Sequence, residues 1–171
     1  MTQDEIRVRS MYLFLACSQA IEQFTARLVA TIPPPDPLRK SSVERSLRRE
    51  LGLLFRYWAS QQVWERLESS ETDAKDLNLA LLRSFTEAFK LPRDGSGLRY
   101  ATLSSMHEEV QELGRRITDA LGLSDKALVT ELESAILPWR DAITQYTSDA
   151  LETPLEQLAT SVRALVERRI N

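Results

Sequence analysis

Three pairs of acidic residues recur at helical spacing along the chain and are the first candidates for chemistry. They are Glu65 with Glu68, Asp73 with Asp76, and Glu109 with Glu112. Carboxylates three residues apart share a helix face, and several of them converging on one cavity could bind Mg²⁺ and a phosphate substrate. A divalent-metal-dependent all-α phosphohydrolase built on the four glutamates is therefore one hypothesis. The alternative is that all six residues lie on solvated faces, where the two aspartates favour a helix N-terminus.

His107 is the only histidine and hence the only candidate for histidine-based acid–base or nucleophilic chemistry. On a helix, His107 lies about 80° to one side of the apolar face of its segment, and Glu109 lies about 80° to the other. A helical metal site needs a second ligand three or four residues away, and no carboxylate takes that position relative to His107. We therefore interpret His107 as a surface or boundary residue.

Cys17 is the only cysteine, which excludes an intramolecular disulfide and a multi-cysteine metal site within one chain. It lies in the middle of an apolar face, so a buried small hydrophobic residue is a better interpretation than a reactive thiol. The sequence has no P-loop, no dinucleotide-binding glycine pattern after a strand, no nucleophile elbow and no Cys–His zinc spacing. We therefore predict no catalytic residues, no metal and no cofactor, and we favour a protein that is not an enzyme.

The second predicted helix carries a stripe of basic residues that could bind a partner. Its candidate residues are Arg39, Lys40, Arg45, Arg48, Arg49 and Arg56. Arg45, Arg49 and Arg56 project opposite the apolar face, with Arg48 at its shoulder and the other two just before the helix. The stripe could pair with phosphates or with an acidic helix of another protein. Gly52 falls in the same line, where a glycine marks a close backbone approach or is tolerated by accident. The alternative is a solvated surface that Glu44, Glu50 and other acidic residues neutralise.

The stretch LPRDGSGLRY, from Leu91 to Tyr100, most resembles a binding loop. A phosphate loop aims backbone N–H groups and a helix N-terminus at its anion, but here the next helix is predicted to begin several residues later. The proline, aspartate and glycines are typical of a β-turn, so we predict an ordered loop between two helices. Arg93, Arg99 and Tyr100 are candidates for an extension of the binding surface.

Helices must position these candidates, because composition and periodicity both predict an all-α protein. Five glycines and seven prolines in 171 residues leave little turn chemistry, and no segment alternates like a strand. We predict a single helical domain over residues 1–171, with five to seven helices, long first and second helices and a proline kink near Pro138. The apolar phase continues across Pro138, which favours one kinked helix over two.

The apolar faces of the predicted helices define the expected core. The first helix should run from about Asp4 to Ile32, the second from a cap at Ser42, the third from about Thr72, and the fourth from a cap at Ser104 or Ser105. The apolar stripe of the second is Val43, Leu47, Leu51, Leu54 and Trp58. That of the third is Leu77, Leu81, Leu82, Phe85, Ala88 and Phe89.

The most apolar run, Met11–Cys17, is seven residues long, well short of the ~20 residues that span a bilayer. No cleavage pattern follows it, so we expect no membrane span and a cytoplasmic protein. The run is apolar on all sides, which indicates either a partner surface or a central position in the bundle.

The net charge of −3 selects no class of partner, so the function must be argued from surfaces. We expect a non-enzymatic helical protein–protein interaction module, which could be a small cytosolic adaptor, a scaffold or a complex subunit. It would bind a protein partner or self-associate. The first alternative is a helical subunit that binds nucleic-acid backbone through the arginine stripe, and the second is the phosphohydrolase.

Overall fold

The computed structural model describes residues 1–31, 36–91, 98–121 and 126–170. Their helices are α1 Gln3–Thr31, α2 Lys40–Arg66, α3 Glu71–Phe89, α4 Leu98–Ala101, α5 Met106–Leu121, α6 Lys126–Glu152 and α7 Leu155–Ile170, with a 3₁₀ turn over Pro37–Arg39. The described residues contain no strand, which confirms the predicted all-α class. The first two helices have 29 and 27 residues, as long as predicted.

Helix α1 is the central element of the bundle, because it packs against α2, α3, α6 and α7. All residues from Leu13 to Ser18 are buried, so every side of the helix is covered over more than one turn. The apolar run that begins at Met11 therefore reflects central burial rather than a partner surface. Burial raises the pKa of the Cys17 thiol to about 12, which leaves it an unreactive core side chain.

Helix α2 begins two residues before the predicted cap at Ser42. The carboxylate of Asp36 accepts a hydrogen bond from the backbone N–H of Leu38 at 3.0 Å and caps the 3₁₀ turn that leads into α2. Proline at the first position of that turn needs no N–H partner, so the Asp36–Pro37 pair starts the helical chain early. The five predicted stripe residues are all buried.

Helix α3 packs against α1 and α2 through an aromatic cluster. The rings of Phe14 and Phe85 meet edge to face at 5.3 Å between centroids, and Phe89 lies 5.8 Å from Phe85. The predicted apolar face of α3 was too broad, however. Leu82 is 41% exposed and Ala88 is exposed, because α1 and α2 cover only the side that carries Leu77, Leu81 and Phe85.

The remaining predicted features agree with the structure where it describes them. The hydroxyl of Ser105 accepts a hydrogen bond from the backbone N–H of Glu108 at 3.2 Å and caps α5, as predicted. Helix α6 continues through Pro138 as one element, while the kink itself stays a prediction. In the described parts of the chain, no helix is long and apolar enough to cross a bilayer.

Candidate interaction surface

Four of the six predicted basic residues at and before α2 are exposed. Arg39 ends the 3₁₀ turn and Lys40 begins the helix, while Arg45 and Arg49 follow on its outer side. Within the described residues, the side chains of these four make no ion pair and no hydrogen bond. These four side chains are exposed and therefore accessible to a partner.

Arg48 differs from its neighbours because it is already paired. Its guanidinium lies 2.9 Å from a carboxylate oxygen of Glu22 on α1 and 3.6 Å from one of Glu44. The other acidic residue expected to neutralise the stripe, Glu50, lies 3.8 Å from Arg116 on α5. Glu44 and Glu50 thus pair with Arg48 and Arg116 rather than with Arg45 or Arg49, which leaves the stripe basic.

Arg56 is half-buried beside the contact between α2 and α3. Burial lowers the pKa of its guanidinium, and among the described residues no carboxylate pairs with it. One turn earlier, a Cβ added to Gly52 would lie 3.1 Å from Cγ of Phe89, so the glycine marks a close approach of α3. The part of the stripe around Gly52 and Arg56 therefore lies along the contact between α2 and α3 rather than in open solvent.

Tyr100 was predicted to extend this surface, but the structure places it in the core. Its side chain is fully buried and its ring stacks on that of Tyr57 at 6.2 Å, because the short helix α4 turns it towards α2. Tyr100 is therefore not a surface residue, and that part of the prediction was wrong. Arg93 and the predicted turn over residues 92–97 lie outside the described residues, and Arg99 lies on α4.

Glu109 is buried between three helices rather than on a solvated face. Its carboxylate accepts a hydrogen bond from Nε1 of Trp58 on α2, and the guanidinium of Arg140 on α6 lies 5.7 Å from the Trp58 ring centroid. Burial raises the pKa of Glu109, while the hydrogen bond from Trp58 and the charge of Arg140 oppose this rise. The group joins α2, α5 and α6 through a polar contact inside the core.

The other candidate carboxylates do not share a site with Glu109. Glu112 lies 2.7 Å from Arg115 and 2.9 Å from Arg116, while Glu65 is exposed in the last turn of α2 and Glu68 is exposed in the turn that follows that helix. No group of three or more potential metal-ligating side chains occurs among the described residues. The four glutamates named for a phosphohydrolase are thus separated.

His107 is exposed, as predicted, but it has a carboxylate partner that the sequence did not indicate. Its Nδ1 lies 2.8 Å from a carboxylate oxygen of Glu133 on α6, and its Nε2 lies 2.9 Å from the amide nitrogen of Gln111. The contact joins the surfaces of α5 and α6.

One small cavity lies between the end of α1 and α6. It has a volume of about 180 Å³ and is lined by Phe24, Arg27, Leu28, Thr31, Ser134 and Ala135. Pockets for drug-sized ligands and cofactors usually enclose roughly 300–1,000 Å³, so this one is too small for such a molecule.

Comparison with known proteins gives no further guidance, because no family profile, curated protein or solved structure matches the chain. The candidate site therefore rests on the molecule's own surfaces. Of these, the basic stripe of α2 is the one that the sequence also indicates.

Proposed function

We propose that the protein is a non-enzymatic helical interaction module, acting in the cytoplasm as an adaptor, scaffold or complex subunit. The observation that carries this proposal is the set of exposed arginines on α2 that have no partner in the described residues. Unpaired guanidinium groups held on a rigid helix are preorganised for carboxylates of another molecule. Leu38, 94% exposed next to Arg39, adds an apolar contact to this surface.

Binding to nucleic-acid backbone is the second candidate, since the same arginines could contact phosphates. A mixed basic and apolar surface favours a protein partner, because a phosphate backbone offers no apolar surface that could cover an exposed leucine. The net charge of −3 also provides no general attraction for a polyanion.

Affinity capture from the native cell extract, with and without nuclease, tests the proposal. We expect nuclease-resistant protein partners, and we expect the double variant Arg45→Glu with Arg49→Glu to recover at least about tenfold less of them, since each reversal replaces attraction by repulsion. The matched control is Arg163→Glu with Arg168→Glu, which reverses two exposed charges on α7. Equal recovery with all three proteins would contradict the proposal, and partners lost on nuclease treatment would favour nucleic acid.

A further inference from the structure

The outer side of α3 carries two leucines that the bundle leaves uncovered. Leu79 is 45% exposed and Leu82 is 41% exposed, and their spacing places them side by side on one face. Lys75 and Arg83 are exposed around them, and neither makes an ion pair within the described residues. A single exposed leucine is ordinary, but an adjacent pair with two unpaired cations beside it is a candidate binding surface.

The contact between Phe89 and Gly52 fixes where this face lies relative to α2. In helical projection, Leu82 is about 20° and Leu79 about 80° from Phe89, on the side away from the buried residues of α3. On α2, Arg48 lies about 40° from Gly52 on the side that faces α1, and it pairs there with Glu22. Arg56 lies about 40° from Gly52 on the opposite side. The leucines and Arg56 therefore adjoin on the side of the α2–α3 hairpin that faces away from α1.

We define this surface as the hairpin outer face, formed by Arg45, Arg49, Arg56, Lys75, Leu79 and Leu82. Its centre is apolar, and its rim carries the four cations together with the half-buried carboxylate of Asp76, one turn from Leu79. On the other flank, the acidic residues of α3 nearest in projection to Leu79 are Asp76, about 60° away, and Glu87, about 80° away, so carboxylates border the face without covering it. Their position leaves the leucine pair between cations on both helices.

We propose that the hairpin outer face binds an acidic amphipathic helix of a partner protein, which rests on the interaction function proposed above. The apolar stripe of such a helix would cover Leu79 and Leu82, and its flanking carboxylates would reach Lys75, Arg56 and Arg49. This is helix-in-groove recognition, in which spaced apolar anchors give affinity and rim charges fix the register. An anionic membrane would carry the same negative charge as an acidic helix. Leu79 and Leu82 are less than half exposed, however, and lie beside a second helix, so they do not protrude far enough to insert into lipid.

The test uses a fluorescein-labelled peptide of 20 residues, with leucine at every third or fourth position and glutamate elsewhere. A scrambled peptide of the same composition is the control for charge alone, and vesicles containing phosphatidylserine are the control for membrane. We expect the amphipathic peptide to bind, with at least tenfold weaker binding to Leu79→Ala with Leu82→Ala and to Arg56→Glu with Lys75→Glu. The matched control is Val166→Ala on α7, an aliphatic residue of similar exposure.

Three results would overturn this assignment. They are equal binding of the scrambled peptide, vesicle binding that the leucine variant abolishes, and no peptide binding at all. Circular dichroism of each variant checks that the helices are retained, which we expect because both leucines are exposed. If the peptide fails to bind while capture still depends on Arg45 and Arg49, the interaction function stands and only the partner's chemistry is wrong.

Discussion

Replacing Phe85 with alanine is expected to lower the free energy of unfolding by about 3–5 kcal/mol. Phe85 is fully buried and lies between Phe14 of α1 and Phe89 of α3, so its removal opens a cavity where α3 meets the central helix. The lost ring contacts, about 0.5–1.5 kcal/mol for an aromatic pair, are part of this loss. Urea unfolding followed by circular dichroism measures the change.

The matched control is Leu82→Ala, three residues earlier on the same helix. Because Leu82 is exposed, we expect this change to lower the free energy of unfolding by less than about 1 kcal/mol. Equal losses for the two variants would contradict the orientation of α3, and with it the position of the leucine pair.

Replacing Trp58 with phenylalanine is expected to lower the free energy of unfolding at pH 7 by about 2–4 kcal/mol. The change removes the indole N–H that donates to the buried carboxylate of Glu109, and it weakens the contact with the guanidinium of Arg140. A carboxylate left without its donor bears the full penalty of burial. Trp64→Phe is the control, since Trp64 is 42% exposed on the same helix.

The loss of unfolding free energy caused by Trp58→Phe should become smaller as the pH is lowered. The pKa of Glu109 is raised by burial, and loss of the hydrogen bond from Trp58 raises it further. A carboxyl whose pKa is higher in the folded state destabilises the fold above that pKa, and this penalty disappears as the pH falls through it. The deficit of the variant should therefore shrink as the pH is lowered through the raised pKa of Glu109, and Glu109→Gln in the same background should abolish this dependence. A deficit that grows on acidification would contradict the assignment.

Periodicity predicted the helices well, because apolar residues at three- and four-residue spacing form the buried faces of α2, α3 and α5. The stripe from Val43 to Trp58 and the cap at Ser105 are local features, and both are confirmed. The unbroken phase around Pro138 likewise predicted a single helix α6. The early start of α2 comes from the Asp36–Pro37 pair, a local signal that the predicted cap at Ser42 did not include.

The features that the sequence did not reveal depend on which helices become neighbours. Glu109 is polar and lies off the centre of its own stripe, yet α5 packs against both α2 and α6, so its buried face is wide enough to include a carboxylate. The partner of His107 comes from α6. Two predictions of burial were also wrong. Tyr100 was predicted at the surface and is buried, and Leu82 was predicted in the core and is exposed.

Photo-crosslinking from the hairpin outer face can show whether a partner protein binds there. Benzoylphenylalanine placed at position 82 should crosslink a partner protein in native extract, whereas the same group at position 157 on the exposed side of α7 should not. The crosslink from position 82 should disappear when Arg45 and Arg49 are both replaced by glutamate. Crosslinks of equal yield from both positions, or a position-82 crosslink that survives the charge reversal, would contradict the account.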